Sequence, residues 1–316
     1  MSSETDSTTE TDLTDASESP RQPSFEQVSR TKDVAFRWLT LAAALVGIVA
    51  LAALLLNVLV DALAIFDPAN GPWVDWAFLT NPPSFSNPYN AGFFPAIVGS
   101  IALMILIALI TFPLGVGAAI YLEEYASDGP LTRFIQLNIA NLAGVPSVVY
   151  GLLGLGLFVG LLNIGFGTLL VAGFTVSLLI LPIVIISAQE AIRSVPDSQR
   201  QASYGMGATK WQTIRNVVLP RAMPGILTGT ILALGRAIGE TAPLIMIGAP
   251  TAVFGVPNSL FSKISAMPMQ IYTWADLPET EFQYGVVAAG VVTLLVILLS
   301  INSIAIVIRN RYQTQE

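Results

Sequence analysis

The sequence has no cysteine and no histidine, and only 11% of its 316 residues are charged. Each absence excludes a body of chemistry. Without cysteine there are no disulfides, thiolate nucleophiles or Cys-ligated clusters, and without histidine there is no zinc–imidazole site and no imidazole general base. Soluble domains carry about 25% charged residues. Here 53% of residues are apolar and the mean hydropathy is +0.69, so the composition is that of a chain embedded in lipid.

The net charge of −7 is unevenly spread, because residues 1–33 hold eight acids against Arg21, Arg30 and Lys32. Rich in Ser, Thr, Asp and Glu and nearly free of apolar residues, this stretch has too little to bury. A disordered acidic tail over residues 1–34 is expected, followed by a membrane domain over 35–310. The first apolar run begins only near Ala35, and the preceding segment lacks the basic start of a secretory signal, so no removed leader is expected.

A crossing helix needs about 20 mostly apolar residues. Charge-poor runs of that length predict six spans at about 38–60, 93–122, 137–162, 168–188, 222–249 and 282–308. The middle two divide a 56-residue uncharged stretch, Phe134 to Gln189, at Asn163-Ile164-Gly165-Phe166-Gly167. The predicted class is an all-α polytopic membrane protein with six transmembrane helices and a cytoplasmic loop. An even number of crossings puts both termini on one side. With the N-terminus inside, twelve of the fourteen Lys and Arg residues are cytoplasmic, with Lys263 external and Arg236 within a span, which is the arrangement that basic residues favour.

The loop over 190–221 carries five of the basic residues and is too short to fold alone. Its second half reads as a helix with Thr209 as N-cap, ended at Leu219-Pro220, with Trp211, Ile214 and Val218 on one face and Gly207 in a turn before it. Such a stripe suits either a groove in a soluble partner or anionic lipid. Arg236 and Glu240, four residues apart in a span, can pair on one face. A span charge costs about 2.5 to 3.5 kcal/mol, so it calls for a use, either oxyanion recognition by the guanidinium or an ion pair that fixes packing. Gly225, Gly229, Gly235 and Gly239 mark close helix approach. Thr241 and Asn141 are pathway candidates, and Gly151, Gly154, Gly156 and Gly160 read as packing positions. Glu123 and Glu124 read as solvated carboxylates at a cytoplasmic helix end.

Gln201-Ala202-Ser203, three residues, Gly207, nine residues, Val217, one residue, Leu219-Pro220 resembles the E-A-A-x3-G-x9-I-x-L-P loop of ABC-importer permeases. Gln201, Ser203 and Val217 depart from that pattern. Asn141–Gly151, Ala233–Pro243 and Met267–Ala275 further resemble the A-type permease subunit of high-affinity phosphate importers, over roughly residues 93–308. The resemblance implies a type I importer permease fold and ATPase coupling through Gln201, Ala202, Ser203, Gly207, Trp211, Leu219 and Pro220. It also implies a substrate pathway at Arg236, Glu240 and Thr241. The implied partners are a homologous second permease, a cytoplasmic ATPase dimer, an external phosphate-binding protein and the bilayer, with no nucleic acid. An external loop over 250–283, with Tyr272, Trp274, Asp276, Glu279 and Glu281, is either the landing surface for the binding protein or a packed cap. No lysine follows a glycine as a Walker A loop requires, so this chain is expected to bind no cofactor and no metal, ATP being used by the partner. The expected function is that of a non-catalytic permease subunit of an ATP-driven phosphate importer in the cell membrane. Sulfate or molybdate transport and ATP-independent ion-coupled transport are the alternatives. A membrane enzyme is disfavoured, because no span holds a pair of aspartates and there is no histidine for Ser-His chemistry.

Overall fold

A computed structural model of the chain describes residues 30–67, 71–249 and 253–313. The acidic tail therefore lies almost wholly outside the described residues. Its last five positions, 30–34, depart from expectation, because helix α1 spans Arg30–Leu63. Asp33 in the first turn favours a helix start there, since carboxylates complement the partial positive charge of a helix N-terminus. At 1.5 Å per residue the 34 residues of α1 extend about 51 Å, more than a hydrocarbon core requires. The expected span 38–60 lies inside it.

The rest forms a second unit that begins within α1, at Leu56. A two-stranded antiparallel hairpin (β1, Ile65–Asp67; β2, Gly71–Pro72) precedes the short helix α2, Trp76–Thr80. Asp75 caps α2 by accepting the Phe78 N–H at 2.6 Å. Phe78 stacks on Phe93, and both rings meet Trp274, whose indole donates to the Ser84 carbonyl at 3.1 Å. This aromatic cluster anchors the loops at one end of the bundle.

Helix α3, Phe94–Ile120, ends in a π turn over Tyr121–Tyr125. Helices α4, Pro130–Ala143, and α5, Ser147–Gly154, follow, and α5 continues as a π turn over Leu155–Leu161. The expected continuous span 137–162 is instead a pair bent by 102° at Gly144-Val145-Pro146. Pro146 has no N–H to donate and holds Val145 out of helical geometry, so the helix stops and restarts. Tyr150 bridges the break, its hydroxyl donating to the Leu142 carbonyl at 2.9 Å.

Helix α6, Leu169–Arg193, is the buried centre, with α3 and α9 packed along it. Short helices α7, Asp197–Gly205, and α8, Lys210–Thr213, lead through a π turn at Ile214–Val218 into α9, Leu219–Ile238. Two boundaries differ from the expected ones. The loop helix does not end at Leu219-Pro220, because the π turn accommodates the proline at the start of α9 and one helical run covers Lys210–Ile238. The expected span 222–249 does not reach 249, because α9 stops at Gly239 and α10, Ala242–Met246, starts after a break. Helix α11, Met267–Ala275, and a π turn at Glu281–Val286 precede α12, Val287–Gln313. Among the described residues five helices are long and apolar enough to cross a membrane, six crossings if the bent pair counts as one.

Candidate functional site: a broken helix end and a basic turn

Arg236 lies in the last turn of α9, where its charge faces the partial negative end of the helix. Its Nε donates to Glu240 Oε1 at 3.2 Å. The Arg236 side chain is 52% exposed and that of Glu240 only 15%, and the guanidinium Nη groups have no partner among the described residues. The expectation of two charges within a continuous span is thus corrected. The pair straddles a helix end, where Gly239 caps α9, and Thr241 occupies the same break as the N-cap residue of α10, without a side-chain cap bond. Arg236, Glu240 and Thr241 are brought together, whereas Asn141 belongs to the α4–α5 pair. Ala237 and Ile238 line a narrow cavity with Ser100, Leu103 and Ile107 of α3. Gly235 borders an apolar pocket of about 230 Å³ with Leu109, Leu234 and Asn302.

Close approach explains the glycines earlier in α9. A Cβ on Gly229 would lie 2.3 Å from Ser187 Cβ of α6, and one on Gly225 2.8 Å from Ala191 Cβ. Gly235 has only ordinary contact with Asn302 at 3.5 Å. In α5, Gly151 meets Met246 and Gly154 meets Thr175, while Gly156 faces open space and Gly160 only the Leu155 carbonyl.

The second candidate region is the turn between α7 and α8. Thr209 and Gln212 form a reciprocal capping box, and Gly207 adopts φ +83. A Cβ there would meet nothing, so glycine is called for by backbone conformation and not by crowding. Gln201, Ala202 and Pro220 are exposed, Leu219 is half-buried, and Ser203 shares a 2.8 Å hydrogen bond with Thr213. The stripe expected to dock outward mostly faces inward. Ile214 and Val218 are fully buried, Val218 against Val116, Ile192 and Ala222, and only Trp211 is exposed. What the turn presents with Trp211 is Tyr204 and Met206, the latter 88% exposed. Sequence reasoning passed over both. Their signal was an apolar side chain directly before the Gly207 turn, in a segment otherwise polar.

One further expectation is corrected, and the two readings of the 250–283 loop divide residue by residue. Glu123 and Glu124 are not solvated: Glu123 accepts from Arg193 at 2.6 Å and Gln189 at 3.0 Å, and Glu124, 7% exposed, accepts from Arg200 at 3.1 Å. In the 250–283 loop, of which 250–252 lie outside the described residues, Trp274 is fully buried and cannot receive a partner. Tyr272, Asp276 and Glu279 are exposed and Glu281 is half-buried.

A bundle with a central buried helix, a broken helix end bearing an unsaturated guanidinium and a basic turn with exposed apolar residues defines a class. Residues 111–313 match the family described as binding-protein-dependent transport system inner membrane component, and the chain belongs to that family of multi-pass ABC-importer permeases. It is a transport subunit and not an enzyme. The phosphate transport system permease protein PstA 1 of Mycobacterium tuberculosis H37Rv is 34% identical over 221 residues, 70% of each chain. PstA of Mycobacterium leprae is 36% identical over 220 residues, 68% of this chain and 69% of the relative. Among solved structures, a chain of a bacterial ABC transporter involved in the import of the acidic polysaccharide alginate superposes with TM-score 0.62 at 18% identity, covering 89% of this chain and 98% of that one. One of the MetNI methionine transporter gives 0.56 at 17% identity, covering 70% and 94%. These two share the fold.

Proposed function

We propose that the chain is a permease subunit of an ATP-driven phosphate importer, forming half of the translocation pathway with a homologous second permease. The observation that carries the reading is the Arg236–Glu240 pair at the broken end of α9. Ionisable side chains in membrane helices face a bundle interior or a water-filled cavity and not lipid. A half-exposed Arg236 therefore points to a pathway completed by the second permease. An i,i+4 pair contributes only about 0.3–0.5 kcal/mol when exposed, too little by itself to account for a guanidinium in this position. Its free Nη donors suit a tetrahedral oxyanion, and the phosphate permease relatives favour phosphate.

In this mechanism phosphate takes the Nη groups while Glu240 keeps its contact at Nε. A fixed carboxylate competing for the same guanidinium prevents tight retention and promotes release. Tyr204, Met206 and Trp211 dock a cytoplasmic ATPase dimer, which uses ATP. The exposed face carrying Tyr272, Asp276 and Glu279 receives an external phosphate-binding protein. The cytoplasmic clustering of Lys and Arg supports placing both termini and residues 190–221 inside. The test is uptake of radiolabelled phosphate by vesicles carrying the whole complex, competed by excess phosphate or sulfate. Competition by phosphate alone is expected, and ATP-independent uptake or stronger competition by sulfate overturns the assignment.

A further inference from the structure

The π turn at Tyr121–Tyr125 ends α3 with two consecutive carboxylates that pair with different helices. Glu123 holds Arg193 and Gln189 of α6, a tie between two spans. Glu124 holds Arg200 of α7, a tie from a span to the cytoplasmic turn. Arg200 does more than pair. Its guanidinium donates to Glu124 Oε1 through Nε at 3.2 Å and Nη2 at 3.1 Å, to Asp197 at 3.1 Å, and to the carbonyls of Ile192 in the last turn of α6 and Val195 just beyond it. One side chain thus joins α3, the end of α6 and α7. Its exposure is 15% and that of Glu124 is 7%, whereas Arg193 is 66% exposed. Lys210 at the start of α8 adds a second tie, with Nζ 5.0 Å from the centre of the Tyr125 ring.

Both helices of the cytoplasmic turn are therefore fastened to one wide turn of α3. From that turn α3 runs as a single helix to Ser100, Leu103 and Ile107, which pack beside Ala237 and Ile238, the residues following Arg236. We propose that the Arg200–Glu124 pair is the transmission joint of this permease, converting displacement of α7–α8 into movement of α3 and hence of the broken end of α9. Arg200 and Glu124 are positioning residues, since neither touches the pathway. The inference rests on the proposed importer function. Its physical content is that the pair is largely shielded, multiply hydrogen-bonded and shared by three elements, so a shift of the turn alone would leave a carboxylate unpaired in a site with little access to water.

The experiment uses the reconstituted complex with its ATPase and binding protein, and reads ATP hydrolysed per phosphate transported. The variants are Glu124→Gln, which keeps the shape and removes the charge, Arg200→Lys, which keeps the charge and loses the fork, and Arg193→Gln as a control. Glu124→Gln is expected to assemble normally and to hydrolyse ATP, with the ATP-to-phosphate ratio raised about tenfold, within the usual range of coupling factors. Arg200→Lys should raise the ratio less, and Arg193→Gln should leave it unchanged. A wild-type ratio in Glu124→Gln overturns the proposal, as does parallel loss of hydrolysis, uptake and assembly, which marks a structural strut. A wild-type complex unable to couple ATP to phosphate uptake overturns the importer reading itself, so the two failures are distinguishable.

Discussion

Arg236 and Glu240 make a residue-scale test possible, because the pair can be removed symmetrically. Arg236→Gln alone should stop phosphate uptake with the complex still assembled, and Arg236→Lys should give a partial defect, since an ammonium lacks the planar fork. The double change Arg236→Gln with Glu240→Gln should restore any lost stability without restoring transport. Near-normal uptake by the double mutant would show that the pair serves packing only. Gly207 offers a second test. Its φ of +83 costs a β-branched residue about 1–2 kcal/mol, so Gly207→Val should distort the α7–α8 turn. Reduced co-purification of the ATPase with normal membrane insertion is the expected result.

At the scale of elements, the proposed docking surface and the packing surface of the α7–α8 segment are separable. Ile214 and Val218 belong to the core beneath the turn, whereas Met206 and Trp211 stand outside it. Met206→Glu should therefore abolish ATPase association while leaving the thermal midpoint of the isolated permease unchanged, and Val218→Ala should lower the midpoint, the loss of two buried methyl groups costing roughly 1 kcal/mol or more. The helix-period stripe was legible in the sequence, but periodicity identifies a buried face without saying what buries it. Here the neighbouring spans do, with Val116 of α3 and Ile192 of α6. The α4–α5 break was legible too, in Gly144 and Pro146, and was missed because an uncharged run of 56 residues drew attention to its centre. The α6–α9 contact follows a spacing the sequence does display, and Gly229→Leu should prevent assembly, because Ser187 leaves no room for a side chain.

For the molecule as a whole, the proposed topology, with the α7–α8 turn inside and the 250–283 loop outside, is the one the distribution of Lys and Arg favours. The chain has no cysteine, so single cysteines report without background. In intact cells an impermeant thiol reagent should label Ser259→Cys and spare Gln212→Cys, and the reverse pattern would invert the topology.

Composition and pattern alone determined that this chain enters a membrane, roughly where its long apolar helices lie, which charges stand out and which family's motifs it carries. These follow from one-dimensional facts: the length of an apolar run, the place of a proline, the spacing of Gly207, Leu219 and Pro220. Only tertiary structure decided that α9 ends at Gly239, that Trp274 is closed beneath aromatic rings, and that Glu124 is buried against Arg200. Arg200 and Glu124 are 76 residues apart, and no local periodicity relates them. Their pairing exists because α3 and α6 pack along their length and bring the π turn beside the start of α7, a long-range consequence of burial that a reading of charge along the chain takes for solvation.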